Sequence, residues 1–232
     1  MFAPGIKQIA EDLDTTEKAI IACQTGFVIM LGIGPLILAP LSETFGRKPI
    51  YLVCFTIFAL LQIPTALSKS VEVLIFWRSI AGFFGSVSIA NGGGTISDMY
   101  EPNQRAGIFG WYLLGPLLGP GIGPLLGGSI LQNLSWPWLF WILTMICAVP
   151  ITGAFFFLRE TYIPAILSAR KKKLEHEEGG KYTFEGDDDR PLRSKLRQSF
   201  TRPLKILFTQ PIGTLLSHTK IGSRGLAFAT SA

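Results

Sequence analysis

Four stretches of this sequence contain no Asp, Glu, Lys or Arg, and they constrain the fold more than any other feature. They cover residues 19–42, 49–68, 79–97 and 106–158. A helix of a soluble protein shows a polar face at every turn, and these stretches show none. The hydrocarbon core of a bilayer is about 30 Å thick, which about 20 apolar helical residues cross. The first three stretches therefore each fit one membrane span, and the fourth is long enough for two.

A short polar sequence divides the longest stretch. Residues 132–135 read Gln-Asn-Leu-Ser, and Trp136, Pro137 and Trp138 follow, which is typical of a turn at a membrane interface. Barrel strands are excluded because they would alternate polar and apolar residues over about ten positions. We therefore predict an all-α integral membrane protein with five transmembrane helices, at 19–40, 50–67, 73–97, 107–131 and 138–158.

The composition narrows the function classes. Hydrophobic residues make up 48% of the chain and charged residues 16%, with a net charge of +5. The basic residues flank the predicted spans, so lipid headgroups rather than nucleic acid are the expected partner. The odd number of cysteines, all in apolar stretches, predicts no disulfide framework, and the two histidines lack companion ligands. We predict no metal, no cofactor and no enzymatic activity, because the spans hold no paired carboxylates, nucleophile or metal cluster.

Lysine and arginine are distributed unequally between alternate loops. They concentrate at 41–49, at 98–105 and from residue 159 onward, whereas the other side carries only Lys7, Lys18 and Lys69. The positive-inside rule therefore predicts that residues 41–49, residues 98–105 and the chain from residue 159 onward are cytoplasmic. Residues 1–18 become an extracellular polar connection, in which Asp14 and Glu17 are spaced as a capping box for the first span. Residues 159–205 have the mixed charge of a cytoplasmic linker.

The loop between the first two predicted spans carries the first informative motif. Residues 39–48 read A-P-L-S-E-T-F-G-R-K. One interpretation is structural: glycine permits a sharp turn, and cations hold it at the negative inner surface. The loop also resembles the signature G-x-L-[SAG]-D-R-x-G-R-[RK] between helices two and three of major facilitator superfamily transporters. The matching residues are Leu41, Ser42, Gly46, Arg47 and Lys48, and the departures are Ala39, Glu43 and Thr44.

A second loop fits the same family. Asp98 ends the third predicted span and Arg105 precedes the fourth, which resembles the D-x(6)-R loop between the family's helices four and five. The resemblance implies that Asp98 pairs with Arg47, near Glu43, and closes an intracellular gate. Ordinary helix-end charges are the alternative, although an aspartate at a helix C-terminus is unfavourable without a partner.

The fourth predicted span contains a glycine and proline motif. Residues 119–128 read G-P-G-I-G-P-L-L-G-G, and Gly119, Gly123 and Gly127 share one helix face that a neighbouring helix can approach closely. Helix packing without transport would explain this face. With Pro124 and Gly128, the pattern also resembles the G-x-x-x-G-P-x-x-G-G motif in the fifth helix of drug:proton antiporters of the superfamily.

Arg78 is the only charged residue within a predicted span. A cation in the bilayer is costly, so we expect Arg78 to face the bundle interior, with snorkelling to the outer interface as the alternative. With Gly82 it matches the family's R-x-x-x-G motif, and the resemblance implies a role in proton transfer. Residues 160–164, E-T-Y-I-P, resemble the sequence that follows helix six in fungal drug and polyamine antiporters, whereas sugar porters carry a different sequence there.

The resemblance maps the five spans onto family helices two to six. It implies a partial N-terminal six-helix bundle with the first helix missing, and it makes residues 206–232 a truncated further helix with a divergent tail. The implied function is proton-coupled export of drugs or other small organic molecules across the plasma membrane. The resemblance also implies that a missing C-terminal half or a partner chain is needed for transport. Two alternatives stay open: a fragment that acts only through helix association, and another substrate branch for polyamines, sugars or other nutrients.

Overall fold

The computed structural model describes residues 3–158 and 160–178, where every regular element is helical. The elements are a 3-10 turn Ala3–Gly5, α1 (Ile6–Asp12), α2 (Glu17–Phe45), α3 (Arg47–Ala66), α4 (Val71–Gly85), α5 (Val87–Met99), α6 (Pro102–Asn133), α7 (Pro137–Phe157) and α8 (Ile163–Glu178). The remainder of the predicted linker and the predicted truncated helix at 206–232 lie outside the described residues.

Five helical segments of the described chain are long and apolar enough to cross a membrane. They are Glu17–Phe45, Arg47–Ala66, Val71–Met99, Pro102–Asn133 and Pro137–Phe156. The prediction of five spans is confirmed, and each observed segment overlaps its predicted range. The third segment consists of α4 and α5, which meet at Ser86. Large apolar side chains such as Trp111, which is 78% exposed, cover the outside of the bundle, as contact with lipid requires.

Two local predictions about the N-terminal segment are wrong. The N-cap of α2 is Thr16 without a side-chain hydrogen bond, and Asp14 has a positive φ of 47° in the preceding turn, so Asp14 does not cap the span. The segment is also more than a polar connection, because Ile9 and Ala10 are buried. One apolar helix face is formed by Ile6, Ile9, Ala10 and Leu13. A prediction that relies on the charged residues of this segment misses the helical spacing of these four.

The helices of the described residues contain two separate clusters of buried apolar side chains. One joins α1, α2, α3, α4 and α7, and its buried residues include Ile9, Ile20, Ala66, Leu74 and Phe140. The other consists of Leu38, Cys54 and Val87, from α2, α3 and α5. The second cluster supports the end of the bundle at which α2 turns into α3, which we call the α2–α3 end.

Helices α2 and α4 cross at small residues. A Cβ atom added to Gly82 would collide with the backbone carbonyl oxygen of Phe27, and one added to Gly34 would collide with Ser86. At Gly26 the added atom would lie 2.6 Å from the Ser79 hydroxyl oxygen. These glycines therefore allow the two backbones to approach closely, as small residues do between membrane helices.

Candidate functional site

A polar cluster occupies the α2–α3 end, and Arg47 is at its centre. Arg47 is the first residue of α3, and its side chain is only 8% exposed. Its Nε atom donates to Asp98 Oδ2 at 3.0 Å, and its Nη1 atom donates to the Ser42 hydroxyl at 3.0 Å. The guanidinium carbon also lies 5.5 Å from the centre of the Tyr162 ring. Arginine suits this position because its planar fork serves two acceptors at once.

Two buried residues continue the cluster toward the membrane interior. Ser42 Oγ lies 2.7 Å from the Asn91 side-chain oxygen and 2.8 Å from the Ala39 carbonyl oxygen. Its single proton can be donated to one of them at a time, while a lone pair accepts from Arg47. Ser42 and Asn91 are both fully buried. Hydrogen bonds therefore connect Asp98 near the surface with the interior of α5.

Glu160, in the segment between α7 and α8, accepts hydrogen bonds from the start of α3. Its carboxylate accepts from the backbone amides of Arg47 at 2.9 Å and Lys48 at 3.1 Å, and also from those of Thr161 and Tyr162, both at 3.0 Å. The amides of Arg47 and Lys48 begin α3, where a negative charge is favoured by the helix dipole. We name Ser42, Arg47, Asn91, Asp98 and Glu160 the Arg47 cluster.

Sequence reasoning quoted Glu160 within a family motif and missed it as a site residue. The signal that could have found it is the turn residue Gly46, which has a φ of 98° and no side chain to cap α3. The first amides of a helix need an acceptor, and one from elsewhere in the chain must supply it. A Cβ at Gly46 would lie 2.5 Å from Glu160 Oε2, so the turn needs glycine for space as well as conformation.

The other predicted gate residues do not all belong to the Arg47 cluster. Asp98 pairs with Arg47, as the resemblance implied, and Lys48 contributes its backbone amide. Arg105 instead donates to the carbonyl oxygens of Ser97 at 2.8 Å and Tyr100 at 2.9 Å, so it caps the end of α5.

Glu43 is exposed, and it acts on the described part of the cluster through its charge. The pKa of the nearby Tyr162 hydroxyl is raised above its usual value, first by burial and then by the Glu43 charge. Arg47 opposes this shift, and Asp98 adds to it.

Arg78 lies inside the bundle. Its side chain is buried on α4, with the guanidinium carbon 4.3 Å from the centre of the Phe27 ring and 5.5 Å from that of the Phe140 ring. Rings at these distances attract a cation through their quadrupole. Gly82, one turn later, brings α4 against the Phe27 backbone, which explains the R-x-x-x-G spacing in physical terms. The position agrees with an interior Arg78 rather than one that snorkels outward.

The predicted antiporter motif lies on α6, and the described helices cover it only in part. Gly127 is buried, Gly123 is half-buried, and Pro124 is exposed. A Cβ at Gly119 or Gly128 would meet no described atom within 4 Å apart from its chain neighbours and the adjacent backbone of α6 itself. The close helix contact predicted for this face is thus not made at Gly119 within residues 3–158 and 160–178, and it stays a prediction for the remainder of the protein or a partner.

Comparison with known proteins decides the family. Residues 1–229 match the model of the Major Facilitator Superfamily. The chain belongs to the Major Facilitator Superfamily. The five apolar helices and this membership make it an integral membrane protein with the all-helical fold of that superfamily.

Three fungal members of the superfamily illustrate the similarity. The chain is 37% identical over 233 residues to uncharacterized transporter mfc1 of Schizosaccharomyces pombe, covering 94% of the chain and 47% of that protein. It is 39% identical over 218 residues to MFS-type transporter tndD of Aspergillus flavipes, covering 91% and 40%. It is 37% identical over 220 residues to efflux pump radE of Floropilus chiversii, covering 94% and 41%. The chain therefore spans less than half the length of these relatives.

Proposed function

We propose that this chain is part of a secondary transporter that exports small organic molecules in exchange for protons. Superfamily membership supports membrane transport, and one relative's name describes an efflux pump. Because the chain spans less than half of its relatives, a C-terminal half or a partner chain completes the translocation path in this proposal. The plasma membrane is the proposed location.

The observation that carries the proposal is the ion pair between Arg47 and Asp98. It joins the start of α3 to the end of α5 at 3.0 Å, and Glu160 ties the start of α3 to the segment after α7. A transporter that alternates between two open states must close and reopen each end of its path. Hydrogen bonds that converge on one arginine between three segments can break together, so the Arg47 cluster suits an intracellular gate.

Arg78 supports proton coupling. A buried cation in a span stabilises a negative group that approaches it and disfavours a second positive charge. If the path passes the Phe27 and Phe140 rings, Arg78 makes the protonation of a facing acid or substrate dependent on which end is open. The two rings attract the guanidinium and hold it in place.

The uncovered part of the antiporter motif supports an incomplete path. Gly119 and Gly128 face open space on the described surface of α6. Small residues that expose backbone inside a membrane suit a closely packed neighbouring helix. We propose that this face packs against the C-terminal half or a partner chain.

The test is flux into proteoliposomes that contain the purified chain, with and without the C-terminal half or partner chain that completes the path. Vesicles with an imposed pH gradient are offered rhodamine 6G, spermidine or glucose, and protein-free vesicles are the control. Gradient-dependent movement of rhodamine 6G supports the proposal, whereas movement of spermidine or glucose only assigns another substrate branch. If the inserted chain moves none of them, it does not transport by itself, and cross-linking of the chain to itself would favour the alternative of a fragment acting through helix association.

A further inference from the structure

We propose that Gly94 is a positioning residue for Arg47, and that the absence of a side chain at position 94 sets the geometry of the pair with Asp98. Gly94 and Asp98 are four residues apart on α5, so they share one helix face. A Cβ at Gly94 would lie 2.5 Å from Arg47 Nη2, 2.7 Å from Cζ and 2.8 Å from Nη1. Carbon atoms in ordinary contact are about 3.5–4.0 Å apart, so any other residue at 94 displaces the guanidinium.

The guanidinium has little freedom to move without losing its partners. Asp98 holds Nε at 3.0 Å and Ser42 holds Nη1 at 3.0 Å, while the Tyr162 ring lies 5.5 Å from the guanidinium carbon. A displacement of several tenths of an ångström lengthens at least one of these hydrogen bonds toward the limit at which it weakens. A methyl group at position 94 is therefore expected to weaken the hydrogen bonds of the Arg47 cluster.

The adjacent glycine provides a matched control. A Cβ at Gly93 would lie 3.4 Å and 3.6 Å from atoms of the Phe109 ring, which is ordinary contact. Alanine has a higher helix propensity than glycine, so propensity favours both substitutions in α5 equally. A difference between Gly93→Ala and Gly94→Ala therefore reports the contact with Arg47.

The thermodynamic test is a double-mutant cycle in the full chain. The unfolding temperature in detergent is measured for the wild type, Gly94→Ala, Arg47→Ala and the double variant, with Gly93→Ala beside them. We expect Gly94→Ala to lower the unfolding temperature by a few degrees in the presence of Arg47. In the Arg47→Ala background it should leave the temperature unchanged or raise it, because the group it collides with is gone. The same loss in both backgrounds overturns the proposal, as does an equal response to Gly93→Ala and Gly94→Ala.

A second measurement follows the geometry of the α2–α3 end. Spin labels on cysteines at Phe45 and Met99, two exposed positions, report the separation of the α2–α3 turn from the end of α5 in nanodiscs. Gly94→Ala should broaden and lengthen this distance as Asp98→Ala does, and Gly93→Ala should leave it unchanged. A wild-type distance in Gly94→Ala would contradict the proposal.

The importance of Gly94 for gating rests on the proposed function, whereas its contact with Arg47 does not. Absent flux with an intact double-mutant coupling would remove the transport proposal and keep this one. Proton-coupled flux together with a Gly94→Ala variant of wild-type unfolding temperature and label distance would keep the transport proposal and remove this one.

Discussion

Glu160 gives Arg47 the helix cap that the neighbouring glycine cannot provide: its carboxylate accepts the Arg47 backbone amide at 2.9 Å across 113 positions of sequence. The same carboxylate accepts the amides that precede α8. One side chain therefore stabilises the start of α3 and the segment that follows α7. A displacement of α8 must strain the residue that forms the ion pair with Asp98.

Removing the Glu160 carboxylate should destabilise the α2–α3 end. A lost cap costs about 1 kcal/mol and a lost charge at a helix N-terminus about 0.3–1 kcal/mol. We expect Glu160→Ala to lower the unfolding temperature more than Glu160→Gln, since glutamine keeps an acceptor oxygen. Glu101→Ala is the control, because Glu101 precedes α6 without a side-chain cap bond. Equal effects at positions 160 and 101 would show that the cap is energetically unimportant.

The shape of the arginine fork is predicted to matter as well as its charge. Arg47→Lys keeps a cation and cannot reach Asp98 and Ser42 with the same geometry, so at least one charge-assisted hydrogen bond is lost. We expect a loss of about 1–3 kcal/mol in the free energy of unfolding. Lys48→Arg is the matched control, because the described contact of Lys48 with Glu160 uses its backbone amide. A stable Arg47→Lys variant would mean that charge is sufficient at this position.

Ionisation of the Tyr162 hydroxyl is predicted to lower the stability of the fold at high pH. Its pKa in the folded protein is raised, chiefly by burial and next by Glu43, so the folded state holds the phenol proton more tightly than the unfolded state does. The stabilisation is complete below the ordinary tyrosine pKa of about 10 and is lost as pH rises through the higher folded value. The unfolding temperature of the wild type should therefore fall more steeply between pH 9 and 11 than that of Tyr162→Phe, which keeps the ring beside Arg47. Parallel curves would assign the alkaline loss to other groups.

The glycines of the α2–α4 crossing and of α6 are predicted to respond differently in this chain. Gly82→Ala places a methyl group against the Phe27 backbone, and overpacking of this kind costs about 1–3 kcal/mol. Gly119→Ala meets open space among the described residues and should not lower the unfolding temperature. Addition of a C-terminal half or a partner chain should make Gly119→Ala costly. Sensitivity of the isolated chain to Gly119→Ala would indicate a contact beyond the described residues.

Arg78 separates a proton-coupling role from a packing role. In an active transporter, Arg78→Gln should abolish flux driven by a pH gradient while leaving the amount of membrane protein nearly unchanged. Arg78→Lys should retain part of the flux, because an ammonium also interacts with the Phe27 and Phe140 rings. Flux and protein amount are measured on the same vesicles. Normal coupled flux by Arg78→Gln would leave this residue a packing role only.

Sequence reasoning predicted the spans well because a bilayer requires long uncharged helices, and residues 106–158 can satisfy that requirement in few ways. The approach of Arg47 to Asp98 followed from a resemblance, since the two lie far apart in sequence. The Glu160 contact was missed because an acceptor for a distant backbone amide leaves no periodic pattern. The α2–α4 crossing was missed for a related reason: Gly26 and Gly82 are isolated glycines on different helices, whereas the conspicuous glycine run on α6 lies partly uncovered in the described structure.

The most direct test of proton-coupled export lets the substrate gradient move protons. Proteoliposomes that contain the chain together with the C-terminal half or partner chain that completes the path, with equal pH on both sides, are loaded with rhodamine 6G and a pH-sensitive dye in the lumen. They are then diluted into substrate-free buffer. Exchange requires that each outward movement of rhodamine 6G carry protons inward, so the lumen should acidify, and a protonophore should abolish the change. Rhodamine 6G leaving at the same rate without acidification, or acidification equal to that of protein-free vesicles, would contradict proton-coupled export by this chain.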